Sequence, residues 1–375
     1  MKRRGFRGEC WPTEQQELLL RTALLEEPDA TRAWHAARAD LDPDFSTVAG
    51  DSMKLIPLVY RNLIRLGIDD PLVPRLRGIY RRTWYSNQVL FHDVARLLTA
   101  LRDAGVDTLV LKGAALIERY YGDAGVRPMA DVDVLVPYED ARRAVTVLLD
   151  LGWTLPKVSL ERFMRLRHGI PFEGPDGRRF DLHWRVLKLL DRPGTWESGA
   201  FWRGSVEIEI AGVPTRTLNA ADHLLHVCAH GMRWRPHVFW PADTATILRN
   251  GDIDWERLLR ETRRFRSTLL IGDALTYLAD VFDAQVPPEV VMELERTPVT
   301  ARDRYAHRAT VRPPKRGRIF RDFPAVFRRY ARMSVTWSLP RAAGAFPRHV
   351  RDTYELDSVS DLARIAKKAL RRTRF

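Results

Sequence analysis

Cysteine is nearly absent from this chain. In 375 residues only Cys10 and Cys228 occur, too few for a disulfide framework and suited to a reducing compartment. Long apolar runs are missing as well. None reaches the roughly 18 residues that a membrane-crossing helix needs. The best candidate, 267–282, is interrupted by Asp273 and Asp280 and reads as a core helix. The opening MKRRGFRGECWP is basic, but no apolar stretch follows it, so no secretory signal is expected. Internal repeats and low-complexity tracts are lacking too. These absences make a cytoplasmic protein without a transmembrane segment the expectation.

What is present suits a folded protein. Hydrophobic residues make up 45% of the chain, with 11 Trp and 15 Phe, and its length exceeds one ordinary core, so two or more packed units are expected. The net charge of +13 is localised. From Arg312 to Phe375 there are 17 Lys and Arg against 5 Asp and Glu, whereas the preceding 311 residues carry 44 against 43. The body is therefore close to neutral, which weighs against a nucleic-acid-binding catalytic surface. The tail begins at the linker-like RPPKRGR and carries FRRYARM and KKALRRTR, with Phe320, Phe323, Phe327 and Tyr330 at helical spacing. Two readings stand side by side: contact with nucleic acid, an anionic surface or an acidic partner, or an amphipathic helix packed on the body.

Along the chain, 13–104 reads as helical. From Arg75 to Asp103, apolar residues including Leu76, Ile79, Trp84, Leu90, Val94 and Leu101 recur near helical spacing, and Gly105 is a stop signal. The texture then changes. TLVLK at 108–112 is β-rich, Gly113 opens the apolar helix AALIERYY, and after a turn-rich loop DVDVLV at 131–136 alternates like a strand. A helix over 139–151 ends at Gly152, and a further helix runs through Phe163. Strands are expected around 170–173 and 179–184, joined by the turn PDGR, then at 206–210 and 213–218, joined across Ala211-Gly212. From Asn219, an N-cap candidate with Asp222 three residues on, the pattern is helical to about residue 309. The expected division is a helical region (1–105), a mixed α/β core (106–218), a helical domain (219–311) and a basic tail (312–375).

Carboxylates carry the chemistry. Asp131 and Asp133 share one strand face, while Val132, Val134 and Val136 share the other. Two carboxylates on one face raise each other's pKa, a cost that a divalent cation removes. Two-metal phosphoryl transfer uses oxygen ligands around ions about 3.5–4 Å apart. In RFDLHW, Asp181 and His183 face away from Phe180, Leu182 and Trp184, so Asp181 can complete the set. The alternative is a solvated edge strand of alternating polarity. Upstream, Lys112-Gly113 sits at a strand-to-helix turn whose free N–H groups favour phosphate, and Arg127 stands within reach of a triphosphate.

The stretch LVLKGAALIERYYGDAGVRPMADVDVLV, followed by a helix and LGW, resembles the uncharacterised nucleotidyltransferase family of the polymerase-beta-like superfamily. RHGIPF, FDLHW and DHLLHVCAHGMRW extend the likeness over most of residues 55–310. The resemblance implies an α/β (α+β) core with a mixed sheet and helical flanks, with an NTP (ATP foremost) and Mg²⁺ or Mn²⁺ as cofactors. It implies metal ligation by Asp131, Asp133 and Asp181, and a phosphate turn at Lys112 and Gly113. The wider superfamily has Gly-Ser at that turn; here Lys-Gly is followed by Ala114-Ala115.

Among the other polar residues, His226 and His230 have the i,i+4 spacing of a zinc pair, but Val-Cys-Ala lies between them. The glutamate of a zinc protease is missing, and packed or hydrogen-bonded roles for His223, His226 and His230 are the expectation. His168 and His183 flank the strands that carry Asp181. His183 is read either as a nucleotide contact or as a structural residue. Asp243 is either a polar anchor inside its helix or a residue of the cleft.

The resulting expectation is a Mg-dependent nucleotidyltransferase that moves a nucleotidyl group from an NTP to an acceptor. Small molecules, modified peptides, proteins and RNA all stand open as acceptors, the peptide because relatives neighbour natural-product biosynthesis genes. A non-catalytic scaffold or accessory protein on the same fold is the competing reading.

Overall fold

The structure, a computed structural model, describes residues 10–42, 45, 50–155, 160–161, 164, 167–187, 199–232 and 238–311, with positions 330, 338, 340, 343–347 and 350 beyond. The linker at 312–318, Phe320, Phe323, Phe327 and most of the basic tail lie outside the described residues. So does part of the expected helix ending at Phe163. Tyr330 is described and is buried, with Phe346 packed against its ring at 4.9 Å.

Six strands form one mixed sheet: β1 (Leu109–Leu111), β2 (Asp131–Leu135), β3 (Gly169–Glu173), β4 (Arg179–His183), β5 (Val206–Ile210) and β6 (Val213–Thr217). Their order is β3-β4-β2-β1-β6-β5. The pairs β2–β4 and β1–β6, on either side of the central antiparallel pair β2–β1, are parallel, and each needs a long crossover; the remaining neighbours are antiparallel. The strands fall on the expected segments, one residue shorter at Val136, Trp184 and Leu218 and at both ends of β1, and one residue longer at the start of β3. Val136 still donates its N–H to the His183 carbonyl at 2.9 Å, just past the ladder.

The two-residue period of the strands divides the core. Val110, Val132, Val134, Phe180 and Leu182 face a cluster that includes Val94, Leu98 and Leu148 from the helices Val73–Asp103 and Ala141–Asp150. Leu109, Leu111 and Leu135 face the opposite cluster. That second cluster joins helices from both ends of the chain: Leu19 and Trp34 meet Leu224, Trp240 and Tyr277 in one continuous core. Trp11 stacks its edge on Trp240 at 5.6 Å, and the Trp240 indole N–H donates to the Cys10 carbonyl at 3.1 Å. The carboxylate face of the sheet is thus the one that the helices of this second cluster cover.

Local signals explain the helix ends. Thr13 and Gln16 close a capping box on the helix Glu14–Leu24. Asn219 caps Ala220–Gly231 by accepting from the Asp222 N–H at 3.0 Å, and its amide donates to the Asp222 carboxylate. One apolar position departs from expectation. Trp84 is 47% exposed, because at about 100° per residue it lies some 80° around the helix from Leu76 and misses the covered stripe. Asn87 lies on that stripe instead, fully buried, and its side chain holds the Ala124 and Arg127 carbonyls and the Met129 N–H. Both cysteines are buried, and neither forms a disulfide. Among the described residues no helix is long and apolar enough to cross a membrane.

Candidate metal and nucleotide site

In the parallel pair β2–β4 the register sets Asp133 beside Asp181 and Leu135 beside His183. Parallel strands in step put those side chains on one face, as the alternation requires. Asp133, Asp181 and His183 consequently bring one potential ligand atom each within 4.8 Å of one another. Asp131, at the start of β2, is half-buried on the same face and lies outside that trio. Its position beside the others is felt electrostatically, since burial and the Asp133 charge both push its pKa up.

Asp133 is the centre of the cluster. It is 2% exposed, and its Oδ1 accepts from Lys112 Nζ at 2.5 Å and from His183 Nε2 at 2.9 Å. An ionised carboxylate only accepts, so His183 carries its proton on Nε2. The Nδ1 of His183 is buried without a partner among the described residues, and the ring sits edge-on to His168 at 4.9 Å. Burial alone would raise the Asp133 pKa; Lys112 and His183 outweigh it and hold the carboxyl well below the usual carboxylate range. Asp181 goes the other way. Burial and the neighbouring Asp133 charge raise its pKa against the pull of His183, Lys112 and Arg179.

Lys112 reaches Asp133 because β1 ends abruptly. Its backbone is left-handed, φ 52°, and the chain passes into the helical residues Lys112–Leu116 and then a π-helical turn, Ile117–Tyr121. Gly113 is tightly packed: a Cβ there would stand 2.7 Å from both Arg127 Nη1 and Met129 Sδ, so those side chains would have to shift. The turn expected to meet phosphate therefore packs closely on the loop before β2, and its lysine is engaged with a carboxylate.

Arg127 is likewise engaged. It is buried and makes a two-point ion pair with Asp243, Nε to Oδ1 at 2.7 Å and Nη2 to Oδ2 at 2.8 Å. The Tyr121 hydroxyl donates to the same carboxylate at 2.8 Å, and the guanidinium lies 5.3 Å over the Phe239 ring. Asp243 answers to both of its sequence readings, as an anchor and as part of a cavity wall. That small cavity, about 40 Å³, is lined by Lys112, Arg127, His226, His230, Trp240 and Asp243 among others. His223 hydrogen-bonds Tyr120 and Thr217, and burial pushes its pKa down to about 3. His226 is held well below its ordinary value by burial, then by Lys112, and its Nδ1 has no partner among the described residues. The sequence favours packed or hydrogen-bonded roles for His226 and His230; the helix Ala220–Gly231 brings both to the wall of the cavity beside Lys112. Their one signal was the 223-226-230 spacing, which keeps them on one face.

Residues 42–283 match the family described as uncharacterised nucleotidyltransferases. The chain belongs to that family. No curated protein matches it. Among solved structures, the antibiotic-resistance factor ANT(2'')-Ia is 17% identical with a TM-score of 0.33, covering 59% of this chain and 95% of its own. An antigenic nucleotidyltransferase-like protein from Paracoccidioides brasiliensis is 14% identical with a TM-score of 0.36, covering 54% and 95%.

The residues of this nucleotidyltransferase family member fit a hard divalent cation. Two carboxylates converge on one face beside an imidazole, and their oxygens are donors of the kind Mg²⁺ and Mn²⁺ prefer. Asp133 is buried too deeply to be ionised without a cation beside it, and here the Lys112 ammonium is that cation.

Proposed function

We propose that the chain transfers a nucleotidyl group from an NTP to an acceptor hydroxyl or similar nucleophile, with Mg²⁺ or Mn²⁺ as the metal. The observation that carries this reading is the convergence of Asp133, Asp181 and His183 on one sheet face around a buried carboxylate. Asp133 and Asp181 would hold the cation, with Asp131 joining from the open end of β2. Such a cation supplies charge neutralisation of the triphosphate and polarisation of the phosphorus.

The side chains divide the remaining work. Asp181, whose basicity burial and the Asp133 charge raise in the metal-free chain, is the group best placed to accept the acceptor's proton. His183 keeps Asp133 oriented through its Nε2–H. Lys112 and Gly113 form the phosphate side of the site, ATP being the foremost nucleotide. Arg127 acts through Asp243, fixing the loop that delivers Asp131. The acceptor classes are a small molecule, a modified peptide or a protein, and the proposed catalytic core is 106–218 with helical regions before and after it.

The test is incubation with ATP, CTP, GTP and UTP, with Mg²⁺ or Mn²⁺, against panels of small-molecule, peptide and protein acceptors. Mass spectrometry should find products heavier by one nucleotidyl group (a nucleoside monophosphate less one water), with pyrophosphate released, both absent in Asp181→Asn. The absence of a serine after Lys112-Gly113 favours the second reading, a scaffold that binds nucleotide without turnover. Metal-dependent nucleotide binding with no product from any panel would support that reading.

A further inference from the structure

Lys112 touches two places at once. Its ammonium rests on Asp133 Oδ1, and its side chain also lines the cavity walled by Arg127, His226, His230 and Asp243. The ion pair is lopsided in accessibility: the lysine side chain is 20% exposed and the aspartate 3%. The aspartate cannot leave its strand, whereas the lysine is a four-carbon arm on a left-handed turn and can. A divalent cation arriving at Asp133 competes for the oxygen that Lys112 holds. The displaced ammonium then lacks a counter-charge beside a cavity where Asp243 is already matched by Arg127. In that cavity His226 is 1% exposed and carries a buried Nδ1 without a partner among the described residues.

We propose that Lys112 is an exchangeable counter-ion: it holds Asp133 in the metal-free chain, and metal binding releases it into the adjoining cavity, where with His226 it binds a polyphosphate oxygen. This rests on the metal-site reading above and adds an order to it, cation first and phosphate tail second. The exchange is a change of ionic partners with no bond made or broken. The subsite takes a terminal phosphate of the triphosphate class. It also gives a reason for lysine at a turn where the wider superfamily carries Gly-Ser.

Two titrations on the full chain test it, and neither reads activity. In the first, Mn²⁺ alone is titrated into wild type, Lys112→Met and Asp181→Asn. Removing the competing ammonium should tighten Mn²⁺ binding at least tenfold in Lys112→Met, while Asp181→Asn should weaken it. In the second, inorganic tripolyphosphate is titrated with EDTA present. Asp133→Asn frees Lys112 without any metal, so it should bind tripolyphosphate at least tenfold more tightly than wild type. That gain should vanish in Asp133→Asn/Lys112→Met and shrink in Asp133→Asn/His226→Leu. Circular dichroism confirms folding, and if Asp133→Asn fails to fold, the Lys112→Met titration decides alone. Unchanged or weaker Mn²⁺ binding in Lys112→Met, with Asp181 still required, overturns the exchange and leaves the metal site standing. Tripolyphosphate affinity equal in wild type and folded Asp133→Asn overturns it too. Mn²⁺ binding that is absent, or indifferent to Asp181, overturns both the exchange and the metal reading.

Discussion

Arg127 and Asp243 meet through two hydrogen bonds of 2.7 and 2.8 Å, tying the loop before β2 to the helix Trp240–Asn250 across 116 residues of sequence. Both side chains are nearly inaccessible, at 7% and 5% exposure. Removing one partner strands a buried charge, which costs about 3–5 kcal/mol, whereas replacing both with apolar groups costs much less. Asp243→Ala and Arg127→Met should each lower stability by about that amount. The double variant Arg127→Met/Asp243→Leu should recover a large part of the loss. Urea unfolding of the four proteins checks this.

Gly113 packs the same loop from the other side. In Gly113→Ala the new Cβ lies 2.7 Å from Arg127 and Met129, so both must shift. Overpacking of this kind costs about 1–3 kcal/mol. Thermal unfolding should show the loss, and combining it with Arg127→Met should make the two effects less than additive, because they share a contact.

The carboxylates of the site should respond to substitution with opposite signs. Asp133 has a lowered pKa, so its ionised form stabilises the fold above the unfolded carboxylate range and that contribution fades as pH falls through its folded value. Asp181 and Asp131 have raised values. Their contribution is fully present below the unfolded pKa and is lost as pH rises through the folded one. At pH 7 without metal, Asp133→Asn should lower the melting temperature, while Asp181→Asn and Asp131→Asn should raise it. Added Mn²⁺ should stabilise wild type more than Asp181→Asn. Differential scanning fluorimetry with and without EDTA reads both effects.

Much of this arrangement was legible in the sequence, and the reason is the strand period. DVDVLV and RFDLHW alternate cleanly, so the faces of Asp133, Asp181 and His183 followed without knowledge of the sheet order. Helix Ala220–Gly231 was equally readable from Asn219 and its apolar run. Long-range polar pairing was not. Nothing local to Lys112 points to Asp133, and nothing near Arg127 points to Asp243, because those partners are set by strand register and helix docking. A charge read from sequence invites a ligand; in the folded chain it often finds a neighbour first. Asn87, inside a helix that reads as amphipathic, is the same case in miniature.

His223 offers a separate check on the helix Ala220–Gly231. It is buried between Tyr120 and Thr217, and its pKa falls from 6.5 to about 3. The unfolded chain takes up a proton there below about pH 6.5 that the folded chain refuses. Stability should therefore fall by about 1.4 kcal/mol per pH unit in that window from this residue alone. Urea unfolding at pH 7 and pH 5.5 should show a smaller pH dependence in His223→Gln than in wild type.

His183 supports Asp133 through one hydrogen bond, and its loss should be felt in the metal. Removing such an orienting partner lowers metal affinity about 10–100-fold. His183→Ala should weaken Mn²⁺ binding by that margin, measured by calorimetry, with His183→Gln recovering part of it by restoring an N–H donor.

The most direct measurement is calorimetric titration of non-hydrolysable α,β-methylene NTP analogues into wild type and Asp181→Asn, each with Mn²⁺ and with EDTA. The account predicts binding to wild type that requires Mn²⁺ and is lost in Asp181→Asn. Nucleotide binding that is indifferent to the metal and to Asp181, or absent from wild type with Mn²⁺ present, would contradict it.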